Sequence, residues 1–186
     1  MRWKVLSVFC VFFLLAGCSK TNSSLDKAIS VRNKLLSGNG CTFSASITAD
    51  YGSEIYDFAM DCQADKDGNL TFSVVRPDSI NGISGRITNE GGAITFDDTV
   101  LAFPMLAEGQ LTPVSAPWIL VKTLRSGYLN GCANTQDGIK ISIDDSYAAE
   151  ALHLEILSED SIPTSAEIYW QGRRVLTLVV ENFTYL

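Results

Sequence analysis

Few side chains in this sequence have the types and spacing that chemistry needs. His153 is the sole histidine, and it falls on the polar side of an alternating run beside Glu155, where an imidazole is solvated rather than poised as a base. A histidine-based triad would have to use it, yet the chain holds no G-x-S-x-G elbow, no H-E-x-x-H, no phosphate-binding glycine loop and no C-x-x-C. The acidic pairs Asp97-Asp98 and Asp144-Asp145 offer the oxygen ligands calcium takes, but both sit at strand ends, where carboxylates serve as ordinary turn residues. The expectation is a protein without catalysis, metal or cofactor.

Cysteine is the other reactive group, and there are five. Two lie near the N-terminus, where Arg2 and Lys4 precede an apolar block over 5–15. That block is shorter than the roughly 20 residues a membrane-crossing helix requires, and it reads as a secretory signal peptide. Its end, Leu15-Ala16-Gly17-Cys18, resembles the lipobox of bacterial lipoproteins, in which cleavage before the cysteine lets that thiol carry a lipid anchor. The resemblance implies a signal peptide over 1–17, a lipidated tether over 18–24 attached through Cys18, and a single domain over 25–186. It also implies export, with the domain held at the extracytoplasmic face of a bacterial membrane.

Without residues 1–17 the balance is 12 basic against 21 acidic side chains. So acidic a chain does not bind nucleic acid or anionic headgroups through a basic patch. The 46% hydrophobic content is enough for one sizeable core. Cys41, Cys62 and Cys132 remain, an odd number: one disulfide plus a free thiol in an oxidising compartment, or three thiols in a reducing one.

The elements follow from periodicity. Ser23 to Asp26 starts a helix with a capping-box-like pattern, and Leu25, Ala28, Ile29, Leu35 and Leu36 recur on one face, broken by Arg32, until Gly38 and Gly40 end it. From Cys41 the pattern switches to period two. Cys41, Phe43, Ala45, Ile47 and Ala49 alternate with polar residues, and Tyr56, Phe58, Met60 and Cys62 do so in the next run. A tight turn on Tyr51-Gly52 sets Ile47 opposite Tyr56, Phe43 opposite Met60, and Cys41 opposite Cys62. That register makes Cys41 and Cys62 a disulfide candidate, the alternative being two buried thiols packed as small hydrophobes.

A turn at Asp65-Lys66-Asp67-Gly68 leads to Leu70, Phe72 and Val74 on the same face, before Arg76-Pro77 ends the strand. Residues 83–88 and 93–97 form another hairpin, with Gly82 and Gly85 marking strong curvature. The run 100–103 fits strand or helix before Pro104. Pro117 opens a second helix, whose Trp118, Val121 and Leu124 line one face. Alternating runs then place Ile139, Ile141 and Ile143, Leu152, Leu154 and Ile156, and Ala166, Ile168 and Trp170 on inner faces, with a hairpin at Gln171-Gly172. Nine strands and two principal helices predict a mainly β, α+β fold. Its strongly curved antiparallel sheet, an unclosed β-barrel, carries the helices on its concave face.

This order of elements resembles the lipoprotein-localisation family, the LolA-like and LolB-like carriers and receptors with the related RseB-like regulators. The likeness is carried by residues 68–77 (GNLTFSVVRP), 116–121 (APWILV) and 163–170 (PTSAEIYW). It implies a half barrel whose concavity receives a lipid, a lipoprotein acyl chain or another hydrophobic ligand. The lining would be Phe43, Ile47, Tyr56, Phe58, Met60, Phe72, Trp118, Val121 and Leu124. The family's receptor delivers cargo with an exposed apolar loop, and the nearest candidate here, 101–106 (LAFPML), does not fall at the matching place. The same inner residues also suit a filled core, which would make the domain an envelope interaction or sensing module that recruits a protein partner.

Overall fold

The computed structural model describes residues 23–96, 99–103, 106–107 and 110–186. The signal peptide, Cys18, most of the tether, Asp97-Asp98 and part of the 101–106 run lie outside the described residues. Helix α1 (Ser23–Ser37) is followed by strands β1 (Gly40–Asp50), β2 (Ile55–Asp65), β3 (Leu70–Arg76), β4 (Ser84–Thr88), β5 (Gly91–Phe96) and β6 (Thr99–Phe103). A short pair, β7 (Leu106–Ala107) and β8 (Gln110–Leu111), leads to helix α2 (Ala116–Ser126). The chain ends with β9 (Tyr128–Thr135), β10 (Gly138–Asp144), β11 (His153–Glu159), β12 (Ile162–Trp170) and β13 (Arg173–Tyr185). No helix among the described residues is long and apolar enough to cross a membrane.

Eleven strands form one antiparallel sheet in the order β6-β5-β4-β3-β2-β1-β13-β12-β11-β10-β9. The two meanders are joined where β1 pairs with β13, and the sheet stays unclosed, with β6 and β9 at its edges. This is the mainly β half barrel that the pattern of the sequence predicts. The run 100–103 is strand, as part of β6. Strand β9 escapes prediction because Tyr128-Leu129-Asn130-Gly131-Cys132-Ala133-Asn134-Thr135 has no alternation. An edge strand pairs on one side only, and no residue of β9 is fully buried.

The β1–β2 register differs from expectation by two residues. Phe43 opposes Cys62, Ala45 opposes Met60, Ile47 opposes Phe58, and Cys41 opposes Ala64. A slip of two keeps every side chain on its face, so the hydrophobic pattern fits both registers equally and the turn decides. The connection is a four-residue loop in which the Tyr51 amide donates to the Glu54 carbonyl and the Gly52 amide to the Asp50 carboxylate. Elsewhere the expected turns are present: Gly68 takes a left-handed φ of 84° after Asp65-Lys66-Asp67, and Gln171 and Gly172 take 50° and 78°.

The two helices differ in how they are buried. In α2 every residue but Lys122, Arg125 and Ser126 is buried, so it is a core element lying in the concavity. In α1 the buried stripe is Ser24, Ala28, Val31 and Leu35. Leu25, Ile29 and Leu36, expected on the core face, stand 39%, 39% and 49% exposed on the neighbouring stripe. Ala28 and Leu35 are buried as expected; the inner stripe is completed by Ser24 and Val31 rather than by Leu25, Ile29 and Leu36.

Two arginines tie the C-terminal ends of the helices together. Arg32 Nε and Nη2 each donate to a carbonyl at the end of α2, those of Leu124 and Gly127, at 2.7 Å. In return Arg125 donates to the Leu35 carbonyl of α1 at 3.1 Å and to the Lys66 carbonyl in the β2–β3 turn at 2.6 Å. The last carbonyls of a helix lack intrahelical partners and carry the negative end of its dipole, so a guanidinium suits both ends. Arg32→Met keeps the aliphatic stem and loses both bonds; it is expected to cost about 2 kcal/mol, read as a lowered denaturation midpoint at unchanged slope.

Candidate ligand-binding site

The inner face of β1–β3 is built by alternation: Cys41, Phe43, Ala45, Ile47 and Ala49 on β1, Tyr56, Phe58, Met60, Cys62 and Ala64 on β2, and Leu70, Phe72 and Val74 on β3. Strand β4 continues it with Gly85, opposite Phe72, where a Cβ would stand 2.6 Å from the Phe72 ring. Only glycine lets that ring lie flat against the sheet. Stacking of Phe43 on Phe183, with ring centroids 5.6 Å apart, extends the aromatic layer onto β13.

Helix α2 packs against β2, β10 and β13, and its buried side chains share one core with this face. Among the nine residues expected to line a cavity, Phe43, Ile47, Met60, Phe72, Trp118, Val121 and Leu124 are each at most 5% exposed. They form a packed core rather than the wall of an open cleft. Trp118 is capped by Lys122, whose ammonium lies 4.7 Å from the indole centre. The remaining two behave differently. Tyr56 is 43% exposed and Phe58 is partly buried, although both point to the face that holds Met60 and Cys62. Along β2 the inner face therefore passes from covered to uncovered within four residues.

At the uncovered end a third aromatic joins them. Tyr51 packs 6.1 Å from Tyr56, and Tyr56 lies 6.5 Å from Phe58, measured between ring centroids. The Tyr51 hydroxyl donates to the Leu111 carbonyl at 2.6 Å, which fixes its ring, and the Tyr56 hydroxyl is bonded to the Glu54 carboxylate. The result is a short aromatic row with an apolar body and a polar rim. Sequence reasoning missed Tyr51 because the expected two-residue turn placed it in solvent.

Depressions also occur on the opposite, convex surface. One of about 490 Å³ is bordered by Thr42, Ser44, Asp61, Gln63, Thr71, Ser73 and Asn182, together with Phe43, Cys62 and Phe72. A second, of about 460 Å³, is bordered by Ser46, Ile47, Thr48, Asp57, Phe58, Arg76 and Pro77, so it takes in Ile47 and Phe58 of the expected lining. Both mix polar side chains with apolar residues in their lining.

The disulfide candidate is corrected. Cys41 and Cys62 are free thiols, and the observed register makes them diagonal neighbours, about 7–8 Å apart and beyond ordinary bonding reach. Burial pushes the Cys41 thiol up to about 12, and burial followed by the nearby Asp61 charge pushes Cys62 up as well. Cys132 is half-buried, its Sγ 3.5 Å from the Ser24 hydroxyl. A maleimide added to the folded domain at neutral pH is expected to label Cys132 first, with Cys41 and Cys62 reacting only after denaturation. Mass spectrometry of the digested adducts reads the order.

His153 accompanies Asp144, its Nδ1 lying 2.8 Å from Asp144 Oδ1, with Asn130 on the same carboxylate and Glu155 at 3.9 Å from Nε2. The His153 hydrogen bond, then that of Asn130, holds the Asp144 carboxyl below its usual range. These groups form an ion-paired patch on the outer surface of β10 and β11, remote in the sheet from the aromatic row. Among the described residues no group of three or more His, Cys, Asp or Glu side chains is arranged to hold a metal ion.

Comparison with known proteins identifies the class only as a shape. No family model matches the chain, and no curated protein matches it. Among solved structures it is similar to an uncharacterized conserved protein from Thermus thermophilus, at 15% identity and a TM-score of 0.49, over 88% of each chain. It is also similar to a LolA superfamily protein from Nitrosomonas europaea, at 11% identity and a TM-score of 0.46, over 84% of this chain and 92% of that one. A putative outer membrane lipoprotein-sorting protein domain from Vibrio parahaemolyticus superimposes at 8% identity and 0.45, over 88% and 92%. The fold is therefore described from the chain's own strand order, an unclosed antiparallel sheet with two helices, and its function rests on its own residues.

Proposed function

We propose that this chain is a bacterial lipoprotein, anchored through Cys18 at the extracytoplasmic face of a membrane, whose domain over 25–186 binds one hydrophobic ligand without catalysis. The ligand is a lipid, or the acyl chain of a lipoprotein, held against the uncovered end of the concave face. One observation carries the reading: Tyr51, Tyr56 and Phe58 form an aromatic row in which Tyr56 stands 43% exposed and Tyr51 and Phe58 are half-buried, on the strand whose inner face packs the core a few residues away. Core-facing aromatics are ordinarily covered, and an apolar surface left open beside a rigid sheet is where a flexible apolar chain gains most from leaving water. The buried strand residues Phe43, Ile47, Met60 and Phe72, packed in one core with Trp118, Val121 and Leu124 of α2, support the site from behind.

Fluorescent fatty-acid titration of the domain tests this. Phe58→Asp puts a charge where the chain would lie and is expected to weaken binding at least about tenfold, while the conservative Phe58→Leu retains it. Binding that is indifferent to Phe58→Asp would sink the aromatic-row site. A second reading has its own observation. The packing of Phe43, Met60, Phe72 and Trp118 makes the concavity largely solid, which suits an envelope module that recruits a protein partner. Total failure to bind lipids by a folded domain selects that reading.

A further inference from the structure

We infer that helix α1 is a membrane-contacting element: its exposed apolar stripe, Leu25-Ile29-Leu36, lies in the headgroup boundary of the bilayer to which Cys18 is anchored. The inference rests on the lipid-anchor reading above and goes beyond it by assigning a docking face and an orientation.

The geometry of α1 supplies the first argument. An ordinary surface helix has one apolar stripe and turns it inward. Here Ala28, Val31 and Leu35 already fill that role, and Leu25, Ile29 and Leu36, spaced by four and seven, make a second stripe that stays 39–49% exposed. Arg32 falls within this stripe but spends its guanidinium on the Leu124 and Gly127 carbonyls, so it does not present a free cation to the surroundings. The stripe continues past the helix end toward Leu186, 47% exposed, whose backbone is bonded to Asn39 and Gly40.

The length of chain between anchor and helix supplies the second. Five residues, 18–22, counted from the acylated cysteine, precede the helix, and at about 3.3–3.6 Å each they span about 18 Å at most. Leu25 and Ile29 occupy the first two turns and are thereby held within reach of the interface at every moment. Electrostatics supplies the third. With 12 basic against 21 acidic side chains the mature protein gains nothing from anionic lipid, so contact must come from apolar burial. A neutral bilayer is therefore a sufficient partner.

The test uses the mature acylated protein on phosphatidylcholine vesicles that contain spin-labelled phosphatidylcholine. Tryptophan is placed at Ile29 in one variant and at Lys27, around the helix from it, in another; Trp118 and Trp170 give the same background in both. Ile29→Trp is expected to be quenched by the lipid label at least about twofold more than Lys27→Trp, and to the same extent when phosphatidylglycerol is added or salt is raised. Equal quenching on vesicle-bound, acylated protein would overturn the inference while leaving the anchor reading standing. A probe shielded from both the lipid label and aqueous acrylamide would assign the stripe to a second copy or another protein, and would also overturn it. Protein whose Cys18 carries no acyl group would remove the anchor reading and this inference together.

Discussion

Gly40→Ala is expected to lower the thermal midpoint by about 6–12 °C. Gly40 closes the end of α1 and opens β1 at φ 134°, a backbone region that side chains rarely enter, and a Cβ there would stand 2.0 Å from the Ala64 carbonyl oxygen. The clash falls on the Gly40–Asp65 step of the β1–β2 ladder, so relief requires the strands to part or the backbone to turn over. Strained non-glycine residues cost 1–3 kcal/mol, and lost pairing adds to the upper end, which gives about 3 kcal/mol. For a chain of this size each kcal/mol moves the midpoint by about 2–4 °C. A change of less than about 2 °C by calorimetry would show that the α1–β1 junction is looser than described.

Leu120→Ala is the second large effect, and it bears on function. Leu120 is fully buried in α2, among the core side chains between helix and sheet. If α2 is a permanent part of the core, deleting the side chain leaves a cavity and costs about 3 kcal/mol. A helix that spent much of its time lifted from the concavity would already expose Leu120, and the same deletion would cost less than about 1 kcal/mol. Urea titration separates the two, because the packed form also predicts an unchanged slope.

Much of this fold was written in periodicity. Strands β1 and β10 alternate strictly and β2, β3 and β11 nearly so, and Gly68, Gln171 and Gly172 sit where turn geometry demands them. What periodicity could not encode was the β1–β2 register, since a shift of two residues returns the same faces. The disulfide candidate depended on that register and fell with it. In α1 Ala28 and Leu35 were legible, but the inner stripe also runs through Ser24, a polar residue that hydropathy undervalues, and Val31, while the apolar Leu25 and Ile29 are exposed. Edge strand β9 had no signal to give, because a strand paired on one side need bury little.

The candidate site was legible by type and misplaced by position. All nine residues expected to line a cavity were identified from their aromatic or aliphatic character, and that character serves core and pocket alike. Which of them remain reachable depends on where α2 stops covering β2, a tertiary fact that separates Met60 from Tyr56 although they share a face. Tyr51 entered only through the longer hairpin loop.

The central claim is that a hydrophobic chain lies along the uncovered aromatic row. Photocrosslinking with a diazirine-bearing fatty acid, followed by peptide mass spectrometry, tests it most directly. The account predicts adducts concentrated on 51–58, at Tyr51, Tyr56 or Phe58, and their disappearance in Phe58→Asp. Adducts on the buried Phe43 or Phe72 of the sheet or on Trp118 of α2, or a folded protein that takes no label above the level of an unrelated control, would contradict it.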